Sequence, residues 1–567
     1  MSLITQTRIT ENTNLKTSQM TRKNILIAAL ALIIPIAASA QQFGGTADQG
    51  GYLTGSFENN SIYYLEDAQN PGCYVPDGSF GSNSYLKADY YKGNLVAGLQ
   101  VESYQPALVG YPLNLEGNKL SNFYMSWTDD DFSLTAGTFY DQFGSGLLFR
   151  TYADRTLGIN NALLGARLAY NYKDILAARI LWGMPRLGSD WKSVSDRGVV
   201  EWAGTQVRGA DVSLSLSSLL GWQGTMLAVE GSLLSRYEQI KYDMEEEGIS
   251  PTTTGWSGRL NFEKSGFVAK AEWVNGGQWF GYYPTDEADY LKRNGNAQLL
   301  ELGYSGGGLG ANLTLRRMEW MGSKINYASV ESNNTLNYTP ALCAQYSYML
   351  TNLNPYIPEV GSTDGHLTSG EIGGQLDVYY NFRRGSTIGG KRGMKVNLNV
   401  STYYAIGQEG TAQLGELLWR NVNVGVEKQV SRKLKMQLLW ALQQGEDMYH
   451  NWCLSNIVVA DLLYKFTPKF STRAELQYLS SADGMKDWMA GLVEVNMAPK
   501  WSVFVSDMYN HGTSKVHYYS VGASYTASRT RIAFSYGRNR SGMVCSGGVC
   551  RTVKAFTGGN LTISTSF

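Results

Sequence analysis

From residue 52 onward, apolar and polar side chains alternate with period two in segment after segment, and this pattern constrains the chain more than any motif it carries. Leu434, Met436, Leu438, Trp440 and Leu442 alternate with a set containing Lys435, Gln437 and Gln443. Trp256, Leu260 and Phe262 alternate with Arg259, Asn261 and Glu263, and Ala269, Ala271 and Trp273 with Lys270 and Glu272. Thr472, Ala474, Leu476 and Tyr478 do so with Arg473, Glu475 and Gln477. Successive side chains of a strand point to opposite faces, so each segment presents one apolar and one polar face.

A soluble sandwich shows the same alternation, but three further features separate the two. The segments run about 10–15 residues, longer than ordinary globular strands and suited to a tilted crossing of a bilayer. Their connections alternate between short turns, such as Glu263-Lys264-Ser265-Gly266 and Thr467-Pro468-Lys469, and long links, such as 141–161, 185–206 and 321–371. Finally, Leu561, Ile563, Thr565 and Phe567 share one face of a last segment that ends on the aromatic, which looks like the assembly signal of outer-membrane barrels. The expected fold is all-β: a closed antiparallel transmembrane β-barrel over 52–567, with long outer loops partly folded into its lumen. Reading back from Phe567 with short turns on one side gives about 24 strands, with 22–26 as the range, among them segments near 530–544 and 551–567. In hydrocarbon every backbone N–H and C=O needs an internal partner, and a sheet supplies them only by closing on itself. Trp419, Trp440, Trp488, Trp501, Tyr518 and Tyr519, near strand ends, suit interfacial girdles.

The N-terminal region reads as an export signal. Arg22-Lys23 precede the apolar run from Ile25 to Ile34, and Ala38-Ser39-Ala40 closes it, so 1–40 is expected to be a signal peptide, with Met20 as an alternative start. Residues 41–51 would be a short periplasmic segment. The cut removes Arg8, Lys16, Arg22 and Lys23 but only one acid, Glu11, and leaves a slight acidic excess. With 48 basic and 48 acidic residues in the whole chain, no general nucleic-acid surface is expected. The expected partners are outer-membrane lipid and, during biogenesis, the barrel assembly machinery.

A barrel this wide encloses more space than wall side chains fill. Two links carry too many aromatics and aliphatics for solvated loops. The first begins Phe139-Tyr140-Asp141-Gln142-Phe143-Gly144-Ser145-Gly146, passes Arg150-Thr151-Tyr152 and Arg155, and reaches Asn160-Asn161. The second, 321–371, contains Asn337-Tyr338-Thr339-Pro340-Ala341, where Thr339 as N-cap and Pro340 as first residue would open a short helix towards Leu353. Phe143, Arg150, Tyr152, Arg155, Tyr338 and Pro340 are the candidate plug residues; folding of the links over one another as an outer cap is the alternative. Arg259, Lys270, Glu272, Arg316, Arg473 and Glu475 are expected to face the lumen, and their mixed signs argue against steep ion selectivity.

On these two stretches, together with Asn354-Pro355-Tyr356, the chain resembles an uncharacterised family of outer-membrane β-barrel proteins of Bacteroidota. The resemblance covers most of the chain after the signal and implies the fold, with no activity to carry across.

Cys545 and Cys550 flank a four-residue tip between the last two strands, and an exported chain meets an oxidising compartment, so a disulfide is expected there. A second bridge among Cys73, Cys343 and Cys453 stays open. His450 and Cys453 have metal-ligand spacing with nothing nearby to complete a set, so no metal and no cofactor are expected. The acidic run Asp243, Glu245, Glu246 and Glu247 reads as a solvated loop face. The four histidines scatter through outer links with no nucleophile motif, and a non-enzymatic role follows. Circumference and a polar inner face point to a channel or gated translocator for small polar solutes. The alternative is a plugged barrel serving as scaffold or subunit of an outer-membrane assembly, secretion or surface complex.

Overall fold

The computed structural model describes residues 50–567 except 113–114, 188–199, 240–247, 283–289, 326–333, 362–367, 447–451, 483–485 and 547–548. The expected signal peptide at 1–40, the acidic run at 243–247, His366 and His450 lie outside the described residues.

Alternating β-branched, aromatic and small polar residues give 24 antiparallel strands in one sheet. Each strand pairs with its sequence neighbours, from Tyr52–Leu65 with Phe80–Lys92 onward. The first strand, Tyr52–Leu65, also pairs with the last, Phe556–Ser566, in the register Asn59↔Ile563 and Ser61↔Leu561, so the sheet has no edge. Three of the short turns among the described residues have two adjacent residues with positive φ, which matches the right-handed twist of the flanking strands. Ser265 (φ 48°) and Gly266 (φ 84°) join Thr252–Lys264 to Phe267–Tyr282, and Gly307 and Gly308 do the same before Leu309–Glu319.

Period two sorts the wall. Leu260, Trp273, Leu315, Leu438, Leu476, Tyr478 and Val505 are exposed on the outside, while Arg259, Glu272, Arg316, Leu439, Glu475 and Gln477 are buried on the inside. A closed wall with apolar residues outward crosses a membrane by strands; the chain is an outer-membrane β-barrel. The buried core therefore lies within the lumen, between the inner wall and the long links.

Two expectations need correction. The last two strands are Thr530–Asn539 and Phe556–Ser566, shorter than 530–544 and 551–567, because Gly542–Ser546 and Val549–Val553 leave the wall as a separate hairpin. Arg551 ties that hairpin inward: its Nε donates to the Thr156 carbonyl at 2.8 Å, and its guanidinium lies 4.1 Å over the Tyr111 ring. Trp419, Trp488 and Tyr518 are not girdle residues. Trp419 alternates with outward Val424, Trp488 with Met489 and Val493, and Tyr518 with Val521, so all three point into the lumen. Trp440, Trp501 and Tyr519 are on the outer face.

Candidate functional site

The strand Phe132–Phe139 delivers the chain into the first inserted segment, and Leu163–Tyr172 takes it back to the wall. Between them, Gln142-Phe143 pairs with Phe149-Arg150 and Ala153-Asp154 with Ile159-Asn160. Phe143, Leu147 and Phe149 are buried against Leu181, Val207, Leu234, Val274, Ala297 and Met318 of the wall, which supplies the apolar energy of docking. Gly144 (φ 52°) is required there: a Cβ would meet Glu272 Oε1 at 2.5 Å and Arg259 Cδ at 2.6 Å, so the backbone rides directly on two wall side chains.

Beneath this segment runs a ladder of charges. Asp141 accepts from Arg167 Nε at 2.7 Å and Arg179 Nη1 at 2.8 Å. Arg179 Nη2 donates to Asp211 at 2.6 Å, Arg259 Nη2 to Asp211 at 2.5 Å, and Arg259 Nε to Glu230 at 2.7 Å. Glu272 accepts the Ser145 backbone N–H at 3.1 Å, locking wall to insert. Sequence reasoning places Arg259 and Glu272 in the lumen and Asp141 in the first link, but misses the partners Arg167, Arg179, Asp211 and Glu230. The signal was there, since Arg167 and Arg179 break otherwise apolar runs at inward positions.

The second link holds the first and then follows the wall. The Arg150 N–H donates to the Leu336 carbonyl, and the Tyr338 N–H to the Gly146 carbonyl, each at 2.9 Å. Asn337 Nδ2 donates to the Leu147 carbonyl at 3.2 Å, and Asn161 Nδ2 to that of Thr335 at 2.7 Å. The Arg150 guanidinium lies 3.9 Å over Tyr338 and 4.8 Å over Tyr152. Further along, Arg316 and Glu371 form a wall ion pair at 2.7 Å with 1% and 0% of their side chains exposed. Arg316 Nη1 donates to the Pro340 carbonyl at 2.5 Å, and Glu371 accepts from the Tyr356 hydroxyl and, at 2.8 Å, the Glu359 N–H. Tyr356 stacks on Tyr403 and Trp419 with centroids 5.1 and 5.4 Å away. Leu350 reaches wall residues Leu439, Ile457 and Leu479; its N–H donates to Gln477 Oε1 at 2.9 Å, and Gln443 Nε2 donates to the Thr351 carbonyl at 3.0 Å.

The helix expected from Thr339 to Leu353 does not form; the chain is irregular until a single 3-10 turn at Leu350–Asn352. The carbonyls of Pro340 and Leu342, which a helix would use internally, instead accept from Arg316 and the Tyr403 hydroxyl of the wall. Phe143, Arg150, Tyr152, Tyr338 and Pro340 thus meet within one insert pair. Arg155 sits apart, 2.7 Å from Glu58 and 4.7 Å over the Tyr85 ring. A third insert near Ala107, Leu108 and Leu115 packs on Tyr85, Tyr104, Ile62 and Tyr64 at the closing seam.

All six expected lumen residues lie on the inner face. Arg473 binds Asp461 at 3.0 Å and also pairs with Glu475. Lys270 and Glu301, 3.7 Å apart, keep 53% and 36% of their side chains exposed inside the barrel. Burial raises the Glu359 carboxyl to about 7, with the Glu371 charge adding to the rise and the Gly361 N–H opposing it. Burial also pushes the Cys343 thiol up to about 12. Cys545 and Cys550 are joined in a disulfide, Cα–Cα 4.1 Å, at the tip of the separate hairpin. Among the described residues no group of three or more His, Cys, Asp or Glu has metal-binding proximity. Leu561 and Ile563 pair with outward Phe534 and Ile532, and Phe567 closes the seam by two 2.9 Å backbone bonds with Gly55.

A model described as a family of unknown function, DUF6029, matches residues 20–567. No curated protein matches the chain in sequence. Among solved structures the chain is similar to the translocation pore of the P pilus usher PapC, with 10% identity, TM-score 0.38, and 91% of this chain and 99% of that one covered. The siderophore receptor PirA from Pseudomonas aeruginosa has 10% identity and TM-score 0.40, over 91% and 80%. A triple-mutant porin of Rhodopseudomonas blastica has 12% identity and TM-score 0.27, over 57% and 93%.

Proposed function

Starting from the fact that this chain belongs to the DUF6029 family of unknown function, we propose that it is a channel or gated translocator for small polar solutes across the outer membrane. One observation carries the reading. Charged pairs on the inner wall away from the inserts stay wet: besides Lys270–Glu301, the pair Lys435–Glu427 keeps 34% and 43% exposure. A permanently dry, filled interior would not leave four ionised side chains half in water. The inserts then act as the gate, since they are held by discrete polar anchors on top of their apolar contacts. The inner cations Arg179, Arg259, Lys270, Arg316, Lys435 and Arg473 each face a carboxylate, so the pathway discriminates weakly between anions and cations. The same reading makes outward Leu561, Ile563, Thr565 and Phe567 the segment that the assembly machinery engages.

Planar-bilayer recording tests it. Wild-type protein is expected to give small, interrupted conductance, and a variant with 321–361 replaced by a short Gly-Ser linker a larger and steadier one. Silence from both, with correctly folded barrels, would refute transport and return the plugged scaffold.

A further inference from the structure

The outer face of the wall carries a feature that the lumen does not explain. Between Thr252–Lys264 and Met394–Ile406 the lipid-facing positions drop to small residues at Gly258, Ala271 and Gly374. Leu260 lies opposite Ala271, Ala271 opposite Leu300, Leu300 opposite Leu315 and Leu315 opposite Gly374, so these residues form one continuous floor. A Cβ at Gly258 would meet nothing within 4 Å, whereas one at Gly374 would strike the Thr314 carbonyl at 2.6 Å. Trp273 stands at one side of this groove, Tyr404 and Leu414 at the other, enclosing about 810 Å³.

The far side is built to stay in place. The connection before Leu414 turns outward over the wall: Arg317 Nε donates to the Thr411 carbonyl at 2.7 Å, the Gly410 N–H to Glu319 Oε1 at 2.9 Å, and Arg293 pairs with Glu409 at 3.1 Å. Arg317 is consumed by this anchoring, with Asn296 and Glu319 taking its remaining donors. Arg420 is not consumed in that way. It is exposed on the outer face, just beyond Val422 and Val424, with Nη2 3.4 Å from the Tyr404 hydroxyl. A groove this apolar, opening on acyl chains, offers water no partners, so hydrocarbon fills it. A guanidinium at the rim of the apolar band lies at phosphate height.

We propose that this groove is a binding site for a phospholipid of net negative charge, with an acyl chain on the Gly258–Gly374 floor and the phosphate on Arg420. The site is independent of what passes through the lumen. Native mass spectrometry of the delipidated full-length barrel, titrated separately with phosphatidylglycerol and phosphatidylcholine, tests it. The wild type should retain phosphatidylglycerol preferentially. Gly258→Leu, which fills open space without a clash, should weaken retention of both lipids about tenfold. Arg420→Gln should keep retention but erase the preference between headgroups. Heat-modifiable gel mobility verifies that each variant is folded. Retention unchanged in folded Gly258→Leu, or an undiminished preference in Arg420→Gln, would overturn the proposal.

Discussion

Replacing Glu371 by Gln probes the buried pair that clamps the second insert. Arg316 and Glu371 are both on wall strands with almost no exposure, and between them they hold the Pro340 carbonyl, the Tyr356 hydroxyl and the Glu359 N–H. The substitution keeps size and one acceptor but leaves the Arg316 charge without its counter-charge, a loss of about 3–5 kcal/mol when it occurs in a buried site. The wall strands are fixed by ladder bonds on both sides, so the barrel cannot relax to solvate Arg316. Water reaches it only if the insert lifts. A little under 3 kcal/mol transferred to that equilibrium raises the lifted population about a hundredfold. Limited proteolysis between 339 and 361, on protein verified as folded by heat-modifiable mobility, reads this directly, and channel open time should rise with it. Arg316→Gln combined with Glu371→Gln removes both charges and should recover much of the protection. Cleavage of folded Glu371→Gln at the wild-type rate would refute the clamp.

Three further outcomes follow from the same inserts. The docked Glu359 carboxyl titrates near 7 against 4.5 when free, so docking is strongest below 4.5, weakens as pH rises and reaches its floor above about 7. Proteolysis of the link should therefore accelerate from acidic to neutral pH, and Glu359→Gln should flatten that profile. Arg150→Ala, which removes the guanidinium over Tyr338 and Tyr152, should cost about 1–2 kcal/mol of insert docking and increase current noise. Gly144→Ala places a methyl on Glu272 and Arg259 at positive φ, and should loosen the first insert by about 2–3 kcal/mol while leaving the strands intact, seen as faster amide exchange at 142–150.

The wall was legible because period two is a local property: the alternation of Arg473, Glu475 and Gln477 against Leu476 and Tyr478 already says which side is wet. The errors came where long-range contacts decide. Trp419 and Trp488 near strand ends suit a girdle on composition, but their parity with Val424 and Met489 puts them in the lumen, where Trp419 supports Tyr356. Thr339-Pro340 is a helix start by local rules, overridden by Arg316 and Tyr403 bonding the carbonyls from across the wall. The charge ladder from Asp141 to Glu230 joins residues far apart in sequence, so alternation gives each one a face but only register brings them together.

The account stands on alternate residues meeting acyl chains outside and water inside, and a nitroxide scan through the strand Phe470–Ser481 in bilayers measures this most directly. Labels at 474, 476 and 478 should be relaxed by dissolved oxygen and shielded from a water-soluble nickel chelate. Labels at 471 and 473 should show the reverse. Accessibility without a two-residue period, or with its phase inverted, would contradict the barrel and everything placed inside it.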